Sequence, residues 1–293
     1  MRSSNPVFSR RGFSRDNGYA GFNAQQPQAG GPAAGANPYA TNPYATNPYA
    51  PQDAQLGAPA QAPARPGAMT IDDVVSRTAI TLGTVFVTAT LAWFLLPVDP
   101  ANLGKSYGIG IGAALVAFVF AMIQSFKRKA SPALILLYAA FEGVFLGVIS
   151  NAVSTYVSPG VVPQAVLGTM AVFAGVLIAY KMRWIRVTRR FYGFVMAAAL
   201  GFVLLMAVNL LFAVFGGGDG LGFRSGGLGI LFGVIGIILG ACFLALDFKQ
   251  VEDGVTYGAP REESWLAAFG LTMTLVWIYL EFLRLLSILQ GDD

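Results

Sequence analysis

Three carboxylates stand inside apolar stretches of this chain. Glu142 lies in LLYAAFEGVFLG, Asp247 in ILGACFLALDFKQ and Glu281 in WIYLEFLRLL. A carboxylate inside a bilayer costs about 2.5–3.5 kcal/mol on insertion scales, so a retained one should face a bundle interior, an aqueous cavity or a partner. Such groups can take up a proton or meet a cation in transit. Each also has a structural alternative. Glu142, about ten residues or roughly 15 Å into its apolar run, is near mid-bilayer, where a protonated carboxyl could bond neighbouring backbone. Asp247 is followed by Lys249, Glu252 and Asp253, which suits an interfacial helix end. Glu281 has Arg284 three residues later, placed to pair along one helix face with a snorkelling guanidinium.

Other chemistries are disfavoured by what the chain contains. It has no histidine, which removes the usual zinc ligand, general base and switch near neutral pH. Serine–histidine and cysteine–histidine nucleophiles are excluded with it. The single cysteine, Cys242, stands in an apolar run and reads as a small buried hydrophobe. The string GGGD, Gly216 to Asp219, matches the G-x-G-D pattern of intramembrane aspartyl proteases. It falls in GGGDGLG, a glycine-rich connection, and no Lys-Ser/Thr ending makes it a phosphate loop. The expectation is a protein that is not an enzyme and holds no resident cofactor.

These residues must be positioned by membrane helices. Of 293 residues 55% are hydrophobic and 12% charged, against roughly 25% charged in soluble domains, and mean hydropathy is +0.59. After Met69 seven apolar runs follow: Val74 to Leu96, Ser106 to Ser125, Pro132 to Tyr156, Val161 to Tyr180, Phe191 to Phe215, Gly227 to Leu246 or slightly beyond, and Glu263 to Leu289. Each has about the 20 residues a spanning helix needs, and no alternating pattern supports a barrel. The fold class expected is an all-α polytopic membrane protein over residues 70–293. Thr70 before Asp72 and Asp73 suits a helix start, and Ser131-Pro132 another. Asp253-Gly254 and Ala259-Pro260 bracket the expected turn between spans six and seven. Glycines four apart (Gly108 and Gly112, Gly143 and Gly147, Gly229 and Gly233, Gly236 and Gly240) predict close helix packing.

Residues 1–69 differ. They are rich in Pro, Ala, Gly, Asn and Gln and contain NPYATNPYATNPYA, Asn37 to Ala50. Such a composition buries too little apolar surface to offset ordering entropy, so a disordered spacer is expected. The first 30 residues hold no apolar core of signal-peptide length.

The net charge of +4 lies at span ends, which argues against nucleic acid as a partner. Lys127, Arg128 and Lys129 follow span two; Lys181, Arg183, Arg186, Arg189 and Arg190 follow span four; Lys249 and Arg261 follow span six; Arg65 and Arg77 flank span one. The opposite side carries Lys105 and Arg224. The positive-inside bias predicts a cytoplasmic N-terminus and, with seven spans, an outside C-terminus.

EGVFLG (Glu142 to Gly147), LALDFKQ (Leu244 to Gln250) and WIYLEFLRLLSIL (Trp277 to Leu289), in this order on spans three, six and seven, resemble the Bax inhibitor-1/YccA family. The opening MRSSNPVFSR is similar to the start of a bacterial branch of it. The resemblance covers roughly residues 70 to 290. It implies a seven-transmembrane-helix bundle with the C-terminal helix central, in a bacterial plasma membrane. It also implies a calcium-permeable leak in some members, gated by an aspartate pair on spans six and seven. Asp247 matches the first aspartate; Glu281, in Tyr279-Leu280-Glu281, replaces the second. Family members can carry a span-two arginine that pairs with the dyad, for which Lys127 and Arg128 are the nearest candidates. Arg284 and Glu142 are further candidate gate or pathway residues. Some members bind a membrane protease and are linked to stress survival, so a non-conducting regulator is the alternative; oligomeric state stays open.

A touching pair would make physical sense. Two carboxylates close together in low dielectric cannot both ionise freely, so protons and cations compete for the site. Hard Ca²⁺ takes oxygen ligands, and two carboxylates, Asp247 and Glu281, suffice only for transient occupancy. The gate requires their carboxyl groups within about 8 Å, close enough to interact strongly. Yet Glu281 lies about 27 Å along a span that starts at Glu263, whereas Asp247 is a few residues from the end of span six.

Overall fold

The computed structural model describes residues 67–127, 129–216, 221–223 and 225–291. The NPYAT repeats and the rest of residues 1–66, with Arg128, Asp219 and Arg224, lie outside the described residues.

Among the described residues seven long helices make up the fold: α1 (Ile71–Leu95), α2 (Leu103–Phe126), α3 (Pro132–Tyr156), α4 (Val161–Lys181), α5 (Arg189–Gly216), α6 (Gly226–Thr256) and α7 (Ser264–Gly291), the last preceded by a 3₁₀ turn at Arg261–Glu263. All seven are long and apolar enough to cross a membrane. A helix is the form in which a chain in lipid satisfies its own backbone polar groups. The expected all-α seven-helix bundle is what forms, and the chain is a multi-pass membrane protein.

Local sequence explains the ends. The Thr70 hydroxyl accepts from the Asp73 amide at 3.1 Å while Asp73 reaches back to the Thr70 amide, a reciprocal cap. Pro132 opens α3 at a position where its missing N–H is harmless. The turn after span six begins later than expected. Asp253-Gly254 stays helical to Thr256, and the chain breaks at Gly258, whose φ of +66° suits glycine. Asp247 therefore lies nine residues, about 14 Å, inside α6 rather than near its end.

The last helix is central: α7 packs against α6, α1, α4 and α3. Close approach rests on glycine, as the four-residue spacings predicted, with one exception. A side chain at Gly143 or Gly147 would run into the α1 backbone carbonyls of Val85 and Ala89. Gly233, Gly236 and Gly240 face α7. Gly108 and Gly112 have open space around them, and it is Gly110 that packs, against Val148.

The segment before α1 is clasped to the α6–α7 connection. The Met69 amide donates to the Ala259 carbonyl (2.8 Å) and the Arg261 amide to the Gly67 carbonyl (2.9 Å). Arg261 Nε meets Asp73 at 2.7 Å, and the Arg77 guanidinium bonds Ser264 and the Arg261 carbonyl and lies over Trp265.

Candidate functional site

Two of the candidate residues, Asp247 and Glu281, occupy different levels of one helix pair. Antiparallel α6 and α7 meet with Gly240 against Ile278, Gly236 against Glu281 and Gly233 against Leu285. Glycine on α6 leaves room for side chains from α7. Glu281 fills that room: it is 7% exposed, with its carboxyl beside Gly236. One turn on, Arg284 Nη2 donates to Glu281 Oε2, and both side chains are almost wholly enclosed. Arg284 thus neutralises Glu281 within its own helix. The Nε and Nη1 of Arg284, and Nε1 of Trp277, are buried without an acceptor among the described residues.

Asp247 lies elsewhere on the same interface. Its Oδ2 accepts from the Thr274 hydroxyl at 2.7 Å, and its Oδ1 faces Gly270. Thr274 precedes Glu281 by seven residues, two turns or about 10 Å along α7. The expected contact between Asp247 and Glu281 is therefore not made. The longer α6 removes part of the depth mismatch, but Asp247 comes level with Gly270–Thr274 and no further. The structure brings Glu281 to Arg284, not to Asp247.

No cation among the described residues faces Asp247. Lys249 pairs with Asp253 at 2.8 Å and with Glu252 at 3.6 Å, and Tyr180 donates to Glu252, so the charges on the last turns of α6 satisfy one another. Lys127, a candidate partner, is exposed just past α2 and forms no ion pair with a described residue. Arg128 lies outside the described residues.

Glu142 is at a similar depth on the other side of α7. Tyr138 packs edge-on against Phe269 with centroids 5.1 Å apart, and Leu146 shares a cluster with Val276. Glu142 falls midway between these contacts and so comes level with about Thr272. It is half-buried and has no hydrogen bond or ion pair with a described residue. One layer of the bundle thus holds two carboxylates without a positive partner, and a layer two turns away holds one that is paired.

Oxygens for a passing cation in the first layer are the Asp247 carboxylate and the Thr274 hydroxyl, with Glu142 across α7. Among the described residues no three His, Cys, Asp or Glu side chains converge as a metal site. Thr274 went unnoticed in the sequence because a threonine in an apolar helix ordinarily bonds its own backbone. The Glu281–Gly236 contact had a signal: the α6 glycines at positions 229, 233, 236 and 240 form a stripe with nothing on it but room.

No curated protein matches the chain. The sequence pattern of a family described as Bax inhibitor 1 like matches residues 5–291. The match begins well before residue 70, where the motif resemblance starts, and so takes in the segment rich in Pro, Ala and Gly. With nearly the whole length matched, and seven helices carrying the three motifs in order, the chain belongs to the Bax inhibitor 1 like family.

Proposed function

We propose that this protein is a pH-sensitive leak for cations, Ca²⁺ among them, in a bacterial plasma membrane, with its N-terminus cytoplasmic and its C-terminus outside. It performs no enzymatic reaction and needs no resident cofactor. The observation carrying this reading is the layer around Gly270–Thr274, where Asp247 and Glu142 flank the central helix without an ion-pair partner among the described residues. Carboxylates in that state can exchange protons and attract a passing cation. The gate differs from a touching pair. Asp247 is the titrating member and Glu281, tied to Arg284, is a second constriction two turns along α7.

Full-length protein in liposomes tests this. Ca²⁺ uptake is expected to change with pH in the parent, and Asp247→Asn should remove most of that dependence. Absence of flux at every pH, with Asp247→Asn changing nothing, would sink the leak.

The alternative is a non-conducting regulator that binds a membrane protease or another membrane complex. The clasp of residues 67–70 on the α6–α7 connection favours considering it, since it ties the segment before α1 to the connection of the helix pair bearing Asp247. Deleting residues 1–66, which spares the clasp, separates the two: a regulator working through its tail loses its partner, whereas a leak continues.

A further inference from the structure

A groove of about 720 Å³ separates α1 from α4, with α3 and α7 as its floor. It follows α1 from Thr78 to Phe94 and α4 from Val162 to Ala174, about 24 Å and 18 Å at 1.5 Å per residue. Its rims continue into the outer surface of the bundle, where Phe86, Phe94 and Met170 are exposed. In a membrane-spanning bundle that surface faces lipid.

The chemistry of the walls selects the occupant. Five hydroxyl side chains line the groove, and four are engaged. Thr90 donates to Phe86 and Thr169 to Ala165 within their own helices (2.8 Å each), and Ser150 bonds Tyr279 at 2.6 Å across the floor. Ser150 and Tyr279 join α3 to α7, and Tyr279 is two residues from Glu281. The remaining hydroxyl is Thr78. Of the five threonines on α1, Thr81, Thr84, Thr88 and Thr90 give their hydroxyls to their own helix. Thr78 Oγ1 alone is buried without a partner among the described residues, at the end of the groove nearest residue 70. The walls thus recognise hydrocarbon along their length, and the one unpartnered hydroxyl is enclosed at one end.

We propose that the groove binds one acyl chain of a phospholipid from the leaflet on the side of residue 70. The Thr78 hydroxyl donates to the chain's ester carbonyl. The hydrocarbon runs past Ala89 and Thr169 with its methyl end toward Trp93 and Val162. A groove of 18–24 Å exceeds half of the roughly 30 Å hydrocarbon core, so the held chain is extended and crosses the midplane. The chain lies against Tyr279 and so contacts the central helix next to Glu281.

The test uses full-length protein in nanodiscs of phosphatidylethanolamine and phosphatidylglycerol. A small fraction of phosphatidylethanolamine carries a diazirine at the end of one acyl chain. After irradiation, adducts are mapped by peptide mass spectrometry. Labelling around Trp93 and Val162 should exceed that at Leu115 on α2 and Leu204 on α5, both lipid-exposed, by at least about fivefold, a modest preference in binding terms. Thr169→Phe, which fills the middle of the groove, should bring the ratio to unity while α2 and α5 stay labelled, and Thr78→Val should lower it severalfold. Groove labelling no higher than on α2 and α5 in the parent protein overturns the proposal, whatever the variants do. A ratio unchanged by Thr169→Phe also overturns it. An unchanged ratio in Thr78→Val overturns the ester anchor. Loss of α2 and α5 labelling marks misfolding, in which case Thr169→Leu takes the place of Thr169→Phe under the same two outcomes.

Discussion

Glu281 and Asp247 belong to one helix–helix interface and are the same kind of group, yet they are held in opposite ways. Glu281 is enclosed against the α6 glycine stripe with a guanidinium supplied one turn away. Asp247 has a single hydroxyl and no cation among the described residues. The cost of burying a charge can be met by a fixed counter-charge or left to be met by a proton or an ion from outside. The first solution suits a structural lock, the second a site whose occupancy varies. Removing each support in turn should expose that difference.

The largest effect is expected from Arg284→Gln. It leaves Glu281 enclosed without its partner, and breaking a buried pair by removing one member costs about 3–5 kcal/mol. Thermal unfolding of the purified protein should show a large fall in Tm. Adding Glu281→Gln should restore most of it, because the stranded charge is then gone. A double variant as unstable as the single one would mean that Arg284 contributes by packing alone.

Gly236→Ala comes next. A Cβ there would lie against the Glu281 carboxyl group, so Glu281 or α6 must shift; overpacking of this kind costs about 1–3 kcal/mol. Gly112→Ala, with open space around it, is the matched control and should leave Tm unchanged or slightly raised through helix propensity. Equal effects at the two glycines would remove the reason for calling the Glu281 end tight.

Thr274→Val should have a smaller effect, of about 1 kcal/mol, the net worth of one hydrogen bond, since shape is nearly kept. It should also change the response of flux to pH, because it removes the hydrogen bond to the Asp247 carboxylate.

How much of this could be read from the residues follows from the range of the forces involved. The seven spans were visible because a bilayer imposes length and apolarity locally. The cap at Thr70 and the proline start of α3 are likewise local. Glu281 with Arg284 could be proposed from spacing, because three residues on a helix guarantee proximity. The choice between Arg284 and Asp247 could not be made. It depends on the register of α6 against α7, which is set by where Gly233, Gly236 and Gly240 dock and by α6 running to Thr256. Small residues announce that helices approach closely, but not which residue faces which. The same limit hid Thr274, and it made Gly108 and Gly112 look like an interface when Gly110 is the contact.

Asp247→Asn should change stability least. The Thr274 hydroxyl can still donate to the asparagine carbonyl oxygen, no cation is stranded because none faces the site, and a buried charge is exchanged for a neutral amide. A shift within about 0.5 kcal/mol, of either sign, is expected. Glu281→Gln is the informative partner: it leaves the enclosed Arg284 without its counter-charge and should cost several times more. If the two isosteric changes prove equally damaging, Asp247 is a structural group like Glu281 and the contrast between the two ends fails. If Asp247→Asn is neutral in Tm and yet flattens the response of flux to pH, the weakly held carboxylate is the one that senses protons, and the strongly held one fixes the helices around it.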